Sequence, residues 1–200
     1  MSMEVVLHRV NTIEALRATP THFGAEIDIR TRGSDMILNH EPYEDGDRLE
    51  DFMENYAHGL LILNIKEDGL EDAALALVRS RGVERYFLLD VEFPYISRST
   101  RKGEKAIAIR YSEDESIETV KPFAGKADWV WVDTITHLPL TENIVKDLAP
   151  FKTCLVCPER WGRPDDIPVF QEQMQGLGYC PDAVMTARQY AGQWTAFGTT

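Results

Sequence analysis

The sequence is poor in cysteine, and this excludes a disulfide-stabilised fold. Its 200 residues include only three cysteines, an odd number that does not suit a framework of disulfide pairs. Cys154 and Cys157 form a C-x-x-C motif, but they lie in the apolar segment TCLVC, where residues three apart on a strand face opposite sides. We therefore expect reduced, packed thiols rather than a zinc or redox site.

Positive charge and long apolar runs are also scarce. The formal net charge of -12 argues against nucleic acids and anionic membrane surfaces as partners, because phosphate polyanions would be repelled. No apolar run approaches the length of about 20 residues that spans a membrane. The first residues, MSMEVVLHR, lack the apolar run after a basic segment that marks a secretory signal. The sequence therefore predicts a cytoplasmic protein without stable membrane insertion.

Apolar and amphipathic segments alternate along the chain at intervals of roughly 25 residues, which is typical of a parallel sheet with helices outside it. The segment LLILNIK at 60–66 is almost continuously apolar, as expected of a strand covered on both faces. About eight such strands can close into a barrel. We predict an α/β fold, a compact (β/α)8 TIM barrel with one domain over residues 1–200 and a peripheral tail at 193–200.

An open, doubly wound sheet is the alternative, but the nucleotide-binding versions of that fold need a glycine-rich phosphate loop that is missing here. Besides the strand that carries Glu26 and Asp28, the pattern predicts strands over residues 5–7, 36–39, 60–66, 86–92, 106–111, 129–134, 153–157 and 183–187. It predicts helices over residues 13–18, 48–56, 71–80, 94–102, 117–124, 142–148 and 168–177.

Two acidic residues lie on one face of the second predicted strand. Glu26 and Asp28 are two residues apart, so both side chains project to the same side. Side-by-side carboxylates repel each other unless a cation or a proton lies between them, and oxygen ligands suit Mg2+ or Ca2+. A turn at Gly33–Ser34 then leads back to His40. The alternative interpretation is a solvated acidic pair on an edge strand with a surface histidine.

The order of the polar motifs resembles the glycerophosphodiester phosphodiesterase family, within the phospholipase-C-like phosphodiesterase superfamily of TIM barrels. The family pattern is roughly HRG, ENT, ExD, HD and ExK along the first strands. The matching residues here are His8, Arg9, Asn11, Thr12, Glu26, Asp28, His40 and Lys66.

This resemblance implies a site with three kinds of residue. His8 and His40 would be the catalytic acid–base pair, since imidazoles titrate near neutral pH. Arg9 and Lys66 would bind the substrate phosphate. The ligands of a divalent cation, Mg2+ or Ca2+, would be Glu26, Asp28 and Asn64.

The sequence departs from the family at several positions. Asn64 replaces the glutamate of the ExK motif, and an amide oxygen can ligate a cation but brings no charge. Asp90 or Glu92 is a hypothetical substitute ligand. Val10 replaces the glycine of HRG, and Ala187 replaces an aspartate on the last strand. Only about twenty residues separate His40 from the strand at 60–66, where the family carries a longer insertion that caps the site.

The sequence predicts a metal-dependent phosphoric diester hydrolase with a small-molecule phosphodiester substrate. The alternative is a catalytically impaired relative that binds a phosphorylated ligand or serves as an assembly subunit. A relative of the sphingomyelinase D branch is a third, less favoured option, because it lacks support from a secretory signal or disulfide pair. Weaker candidates for the site, at later strand ends, are Asp90, Glu92, Arg110, Asp133, Glu159 and Arg160.

Overall fold

The computed structural model describes residues 3–198, which form ten strands and eight α-helices. The strands are β1 (Glu4–Leu7), β2 (Gly24–Arg32), β3 (Asp35–Leu38), β4 (Asp47–Arg48), β5 (Leu61–Ile65), β6 (Tyr86–Leu89), β7 (Ala108–Tyr111), β8 (Trp129–Val132), β9 (Lys152–Val156) and β10 (Ala183–Thr186). The helices are α1 (Ile13–Arg17), α2 (Leu49–Glu54), α3 (Glu71–Ser80), α4 (Phe93–Arg101), α5 (Ile117–Val120), α6 (Glu142–Leu148), α7 (Ile167–Gly176) and α8 (Ala191–Phe197).

The chain divides into two compact units, and Val6–Ile96 forms one of them. In it, β1 pairs with β2, β2 with β5 and β5 with β6, all in parallel. β2 also forms an antiparallel hairpin with β3, which pairs in turn with β4. Gly33, with φ 61°, forms the predicted turn of this hairpin because glycine adopts a positive φ without strain.

Residues 3–5 and 97–198 form the other unit. It contains the parallel order β7-β8-β9-β10, and the amide of Glu4 donates to the carbonyl of Asp182 at 2.8 Å. The two units supply eight parallel strands, each followed by a helix, as a (β/α)8 fold requires. The organisation of these residues as one domain stays a prediction.

The strands β5 and β8 are buried along their whole length, which explains why their sequences do not alternate. All five residues of β5 and all four of β8 are buried, as expected when helices cover a parallel sheet. Cys154 and Cys157 are free, buried thiols, so the prediction of packed thiols is confirmed. No helix in the described part of the chain is long and apolar enough to cross a membrane.

The prediction of a peripheral tail is wrong for the residues that the structure describes. Residues 193–197 belong to α8, and the Trp194 side chain is fully buried. Its indole nitrogen donates to the sulfur of Cys157 at 3.2 Å, so burial of the indole fixes this helix. Residues 199–200 of the predicted tail lie outside the described part of the chain.

Candidate active site

The register of three neighbouring strands brings polar residues to one edge of the sheet. Leu7 of β1 pairs with Ala25 of β2, so the next residue along, His8, comes level with Glu26. Asp28 of β2 pairs with Asn64 of β5. Because parallel strands end at the same edge of a sheet, side chains far apart in sequence meet there.

Glu26 is buried and held by contacts from three other residues. Its side chain is 1% exposed. One carboxylate oxygen, Oε2, accepts from the backbone amide of Arg9 at 2.7 Å, and Oε1 accepts from Nδ2 of Asn64 at 2.9 Å. The Nε2 atom of His8 lies 3.9 Å from Oε2. The His8 ring therefore faces a buried carboxylate.

Burial and, after it, the negative charge of Asp28 raise the pKa of Glu26 to about 7. Hydrogen bonds from Asn64 and the Arg9 amide, with the charge of Lys66, act against this rise. The elevated pKa follows from two carboxyl groups that share a space removed from water.

Asp28 is also 1% exposed, and it is held by Asn11 through two hydrogen bonds. Nδ2 of Asn11 donates to Oδ2 of Asp28 at 2.8 Å, and the backbone amide of Asp28 donates to Oδ1 of Asn11 at 2.8 Å. Nζ of Lys66 lies 3.3 Å from Oδ1, and Nε of Arg9 lies 3.9 Å from Oδ2. Sequence reasoning did not give Asn11 a role in the site, although its place two residues after Arg9 was a usable signal.

His40 lies beyond β3, with surroundings different from those of His8. Its Nδ1 atom is 2.6 Å from a carboxylate oxygen of Glu41, and its backbone carbonyl accepts from the guanidinium of Arg30 at 2.9 and 3.1 Å. The hydrogen bond from His40 lowers the pKa of Glu41, and the charge of Arg9 contributes. The His40 ring is 36% exposed, so its described contacts are with Glu41 rather than with the buried acidic pair.

The oxygen atoms around the acidic pair are suitable ligands for a hard cation, but they carry less negative charge than three carboxylates would. No group of three or more histidine, cysteine, aspartate or glutamate residues among residues 3–198 is arranged to hold a metal ion. However, Oδ1 of Asn64 and Oδ1 of Asp28 are buried and accept no hydrogen bond, although the latter forms an ion pair with Lys66. With Glu26 they form a set of two carboxylates and one amide oxygen, which is the ligand type of Mg2+ and Ca2+.

Asp90 contacts Lys66 instead of joining Glu26 and Asp28. β6 ends at Leu89, and Oδ2 of Asp90 lies 3.5 Å from Nζ of Lys66. This contact gives no support to the hypothesis that Asp90 replaces the missing third carboxylate, which stays a prediction. Glu92 lies beyond the end of β6 and is exposed, so its position is not fixed by the pairing of that strand.

The weaker candidates on the later strands are bonded to each other and to the backbone. Arg110 Nη2 donates to Asp133 Oδ2 at 2.8 Å, and the indole of Trp161 donates to Oδ1 of the same carboxylate at 2.8 Å. Glu159 accepts from the amide of Ala187 at 2.6 Å. These contacts account for the burial of the acidic groups, and we assign them no role in chemistry.

Comparisons with solved structures agree with the fold described above. A glycerophosphodiester phosphodiesterase from Agrobacterium tumefaciens str. C58 is similar with a TM-score of 0.67 and 14% identity, covering 99% of this chain and 100% of that one. A glycerophosphoryl diester phosphodiesterase from Parabacteroides distasonis has a TM-score of 0.64 and 11% identity, covering 98% and 86%. The tryptophan synthase α-subunit of Pyrococcus furiosus is less similar, with a TM-score of 0.54 and 14% identity over 98% and 94% of the two chains.

No family model matches the sequence, and no curated protein matches it. At 11–14% identity the structural likeness establishes the fold rather than the activity. The chain therefore has the α/β, (β/α)8 barrel fold, and in fold it resembles the glycerophosphodiester phosphodiesterases, as its motifs predict.

Proposed function

We propose that this protein is a metal-dependent phosphoric diester hydrolase that acts on a small phosphodiester, in the manner of a glycerophosphodiester phosphodiesterase. The observation that carries the proposal is the buried pair Glu26 and Asp28, bordered by His8, Arg9 and Lys66. The likeness in fold to proteins with that name supports this reaction class over others that use the same fold.

Glu26, Asp28 and Asn64 would hold the Mg2+ or Ca2+ ion. When bound, the ion supplies positive charge that stabilises the charge developing on the phosphate oxygens. Because Asn64 contributes no charge, two carboxylates replace the three of the family pattern. We expect the ion to bind more weakly than it would with a third carboxylate.

The chain's own residues would bind the phosphate and move the protons. The guanidinium of Arg9 and the ammonium of Lys66 would bind phosphate oxygens, as a fork and as a point charge. His8 and His40 would form the acid–base pair: one neutral ring takes a proton from the attacking oxygen, and one charged ring donates a proton to the leaving alkoxide. The exposure of the His40 ring allows it to approach a substrate that enters from solvent.

The second candidate is a catalytically impaired relative that binds a phosphorylated ligand. Nζ of Lys66 lies 3.3 Å from Asp28 and already offsets part of the negative charge that a cation would otherwise offset. Together with Asn64, this contact suits a site that binds phosphate through side chains alone. An assembly role would leave the same residues in place.

Hydrolysis of glycerophosphocholine and bis(p-nitrophenyl) phosphate, measured with Mg2+, with Ca2+ and with a chelator, tests the proposal. We expect cation-dependent product release, with a loss of about 10²- to 10⁴-fold in kcat for His8→Ala and for His40→Ala because each removes a proton-transfer group. His22→Ala is the matched control, since this exposed histidine precedes the start of β2 in the same unit, and it should retain full activity.

Two results would contradict the proposed mechanism: activity that survives chelation, or activity that persists in His8→Ala. Absence of hydrolysis of any diester, with no ion bound in calorimetric titration, would favour the binding protein instead.

A further inference from the structure

Lys66 lies between two carboxylates that come from different strands. Its side chain is 17% exposed, and Nζ is 3.3 Å from Oδ1 of Asp28 and 3.5 Å from Oδ2 of Asp90. Asn64 of β5 pairs with Leu89 of β6, so Lys66 and Asp90, which follow these strands, lie within one residue of the same level at the same edge. The ammonium therefore has one anionic partner on each side.

The backbone of Asp90 is unusual for a residue with a side chain. Its φ is 58°, in the left-handed region that costs an ordinary residue about 1 kcal/mol or more and costs glycine nothing, although aspartate tolerates it better than most. The side chain that this conformation aims at Lys66 gives a physical reason for aspartate at this turn.

We infer that Asp90 is a positioning residue, which holds the ammonium of Lys66 at the place where the substrate phosphate binds. This inference rests on the proposed function. Lysine has four rotatable side-chain bonds, so one partner does not fix its ammonium. With Asp28 alone, the ammonium would fold onto the buried carboxylates. Asp90 attracts it from the opposite side and keeps it at the rim of the acidic pair.

The same contact has a second effect when a cation occupies the acidic pair. With a cation held by Glu26, Asp28 and Asn64, the charge of Asp28 would be offset, and Lys66 would lose the attraction of its nearer partner. Asp90 remains as an anionic partner outside the cation's ligand set. Lys66 thus stays ordered in the loaded site, where it can bind a phosphate oxygen.

The test is a double-mutant cycle with Asp90→Asn, which removes the charge and keeps the shape, and Lys66→Gln. For Asp90→Asn we expect kcat/KM to fall about tenfold, mostly through KM, because a phosphate-binding group is misplaced. In the Lys66→Gln background the same change should cost nothing further. Asp90→Glu should recover part of the loss. Asp68→Asn, at an exposed carboxylate two residues after Lys66, is the control that should behave as wild type.

A second measurement does not depend on activity. Acetylation of lysines by a water-soluble ester, followed by peptide mass spectrometry, reports the reactivity of Lys66 relative to the exposed Lys102. We expect Lys66 to react several-fold faster in Asp90→Asn than in wild type or Asp68→Asn, because its amino group, no longer held against Asp90, is more accessible to the reagent.

The two readouts separate the failures. If wild type hydrolyses no diester, the proposed function fails, and a labelling rate that is unchanged in Asp90→Asn overturns the positioning of Lys66 by Asp90. If wild type is active, an equal loss from Asp90→Asn with and without Lys66 overturns the inference.

Discussion

At the scale of the single residue, Glu26 is an acidic group whose protonation near neutral pH the fold changes. Its pKa is about 7 in the folded chain, against 4.5 as an ordinary glutamate. Between these values the folded state binds a proton that the unfolded state has lost. The free energy of unfolding therefore decreases as pH rises from about 4.5 to about 7, because deprotonation leaves two buried carboxylates side by side.

We predict that Glu26→Gln removes this decrease. The shift corresponds to a loss on the order of 3 kcal/mol for wild type across that pH range, and urea unfolding in a chelator at pH 5, 6, 7 and 8 measures it. Glu172→Gln, at an exposed position, should keep the wild-type slope. Parallel pH profiles for wild type and Glu26→Gln would contradict the elevated pKa.

Some contacts of the site could be predicted from the sequence and others could not. The difference is whether the residues lie close together along the chain. The spacing of Glu26 and Asp28 on a strand places both on one face whatever the rest of the chain does. The bonds from Asn11 to Asp28 and from Lys66 to Asp90 join separate elements. Such bonds depend on the register between strands, which spacing along one strand does not contain.

At the scale of the element, helices and strands were predictable where the pattern of apolar residues reflects burial of one face or of both faces. The predicted helices at 71–80 and 142–148 match α3 and α6 to the residue, and the apolar strands were found. β4, only two residues long, exists through its pairing with β3. α8 is short and contains Gly192, so its stability comes from the burial of Trp194, a tertiary effect that helix propensity does not report.

We predict opposite effects of the same substitution in two elements. A Cβ at Gly24 of β2 would lie 2.3 Å from the carbonyl oxygen of Leu60 and 2.9 Å from Val6. Gly24→Ala should therefore cost about 2 kcal/mol or more, as overpacking against backbone does.

Gly192→Ala in α8 is the matched control, because a Cβ there meets nothing within 4 Å. It should raise the free energy of unfolding by about 0.5–1 kcal/mol through helix propensity. Thermal and urea unfolding measure both variants. Equal stabilities would contradict the close approach of Gly24 to Leu60.

At the scale of the whole molecule, the last helix contributes to stability through one side chain. Trp194 is fully buried and bonded to Cys157, so Trp194→Ala should cost about 3–5 kcal/mol, and Trp194→Phe less. The exposed Val169 is the control, and Val169→Ala should stay within about 0.5 kcal/mol of wild type. Urea unfolding measures the free energy of unfolding of these variants. A decrease of less than about 1 kcal/mol for Trp194→Ala would mean that α8 is dispensable for stability.

Three non-glycine residues in the described part of the chain have a positive φ: Arg9, Tyr43 and Asp90. Arg9 and Asp90 follow β1 and β6, and Tyr43 lies between β3 and β4, in the segment that follows His40. A mutant library selected for heat resistance would enrich glycine at these positions, while a library selected for turnover would discard glycine at Arg9 and Asp90. Under the proposed function, the two selections would therefore favour different residues at these two positions.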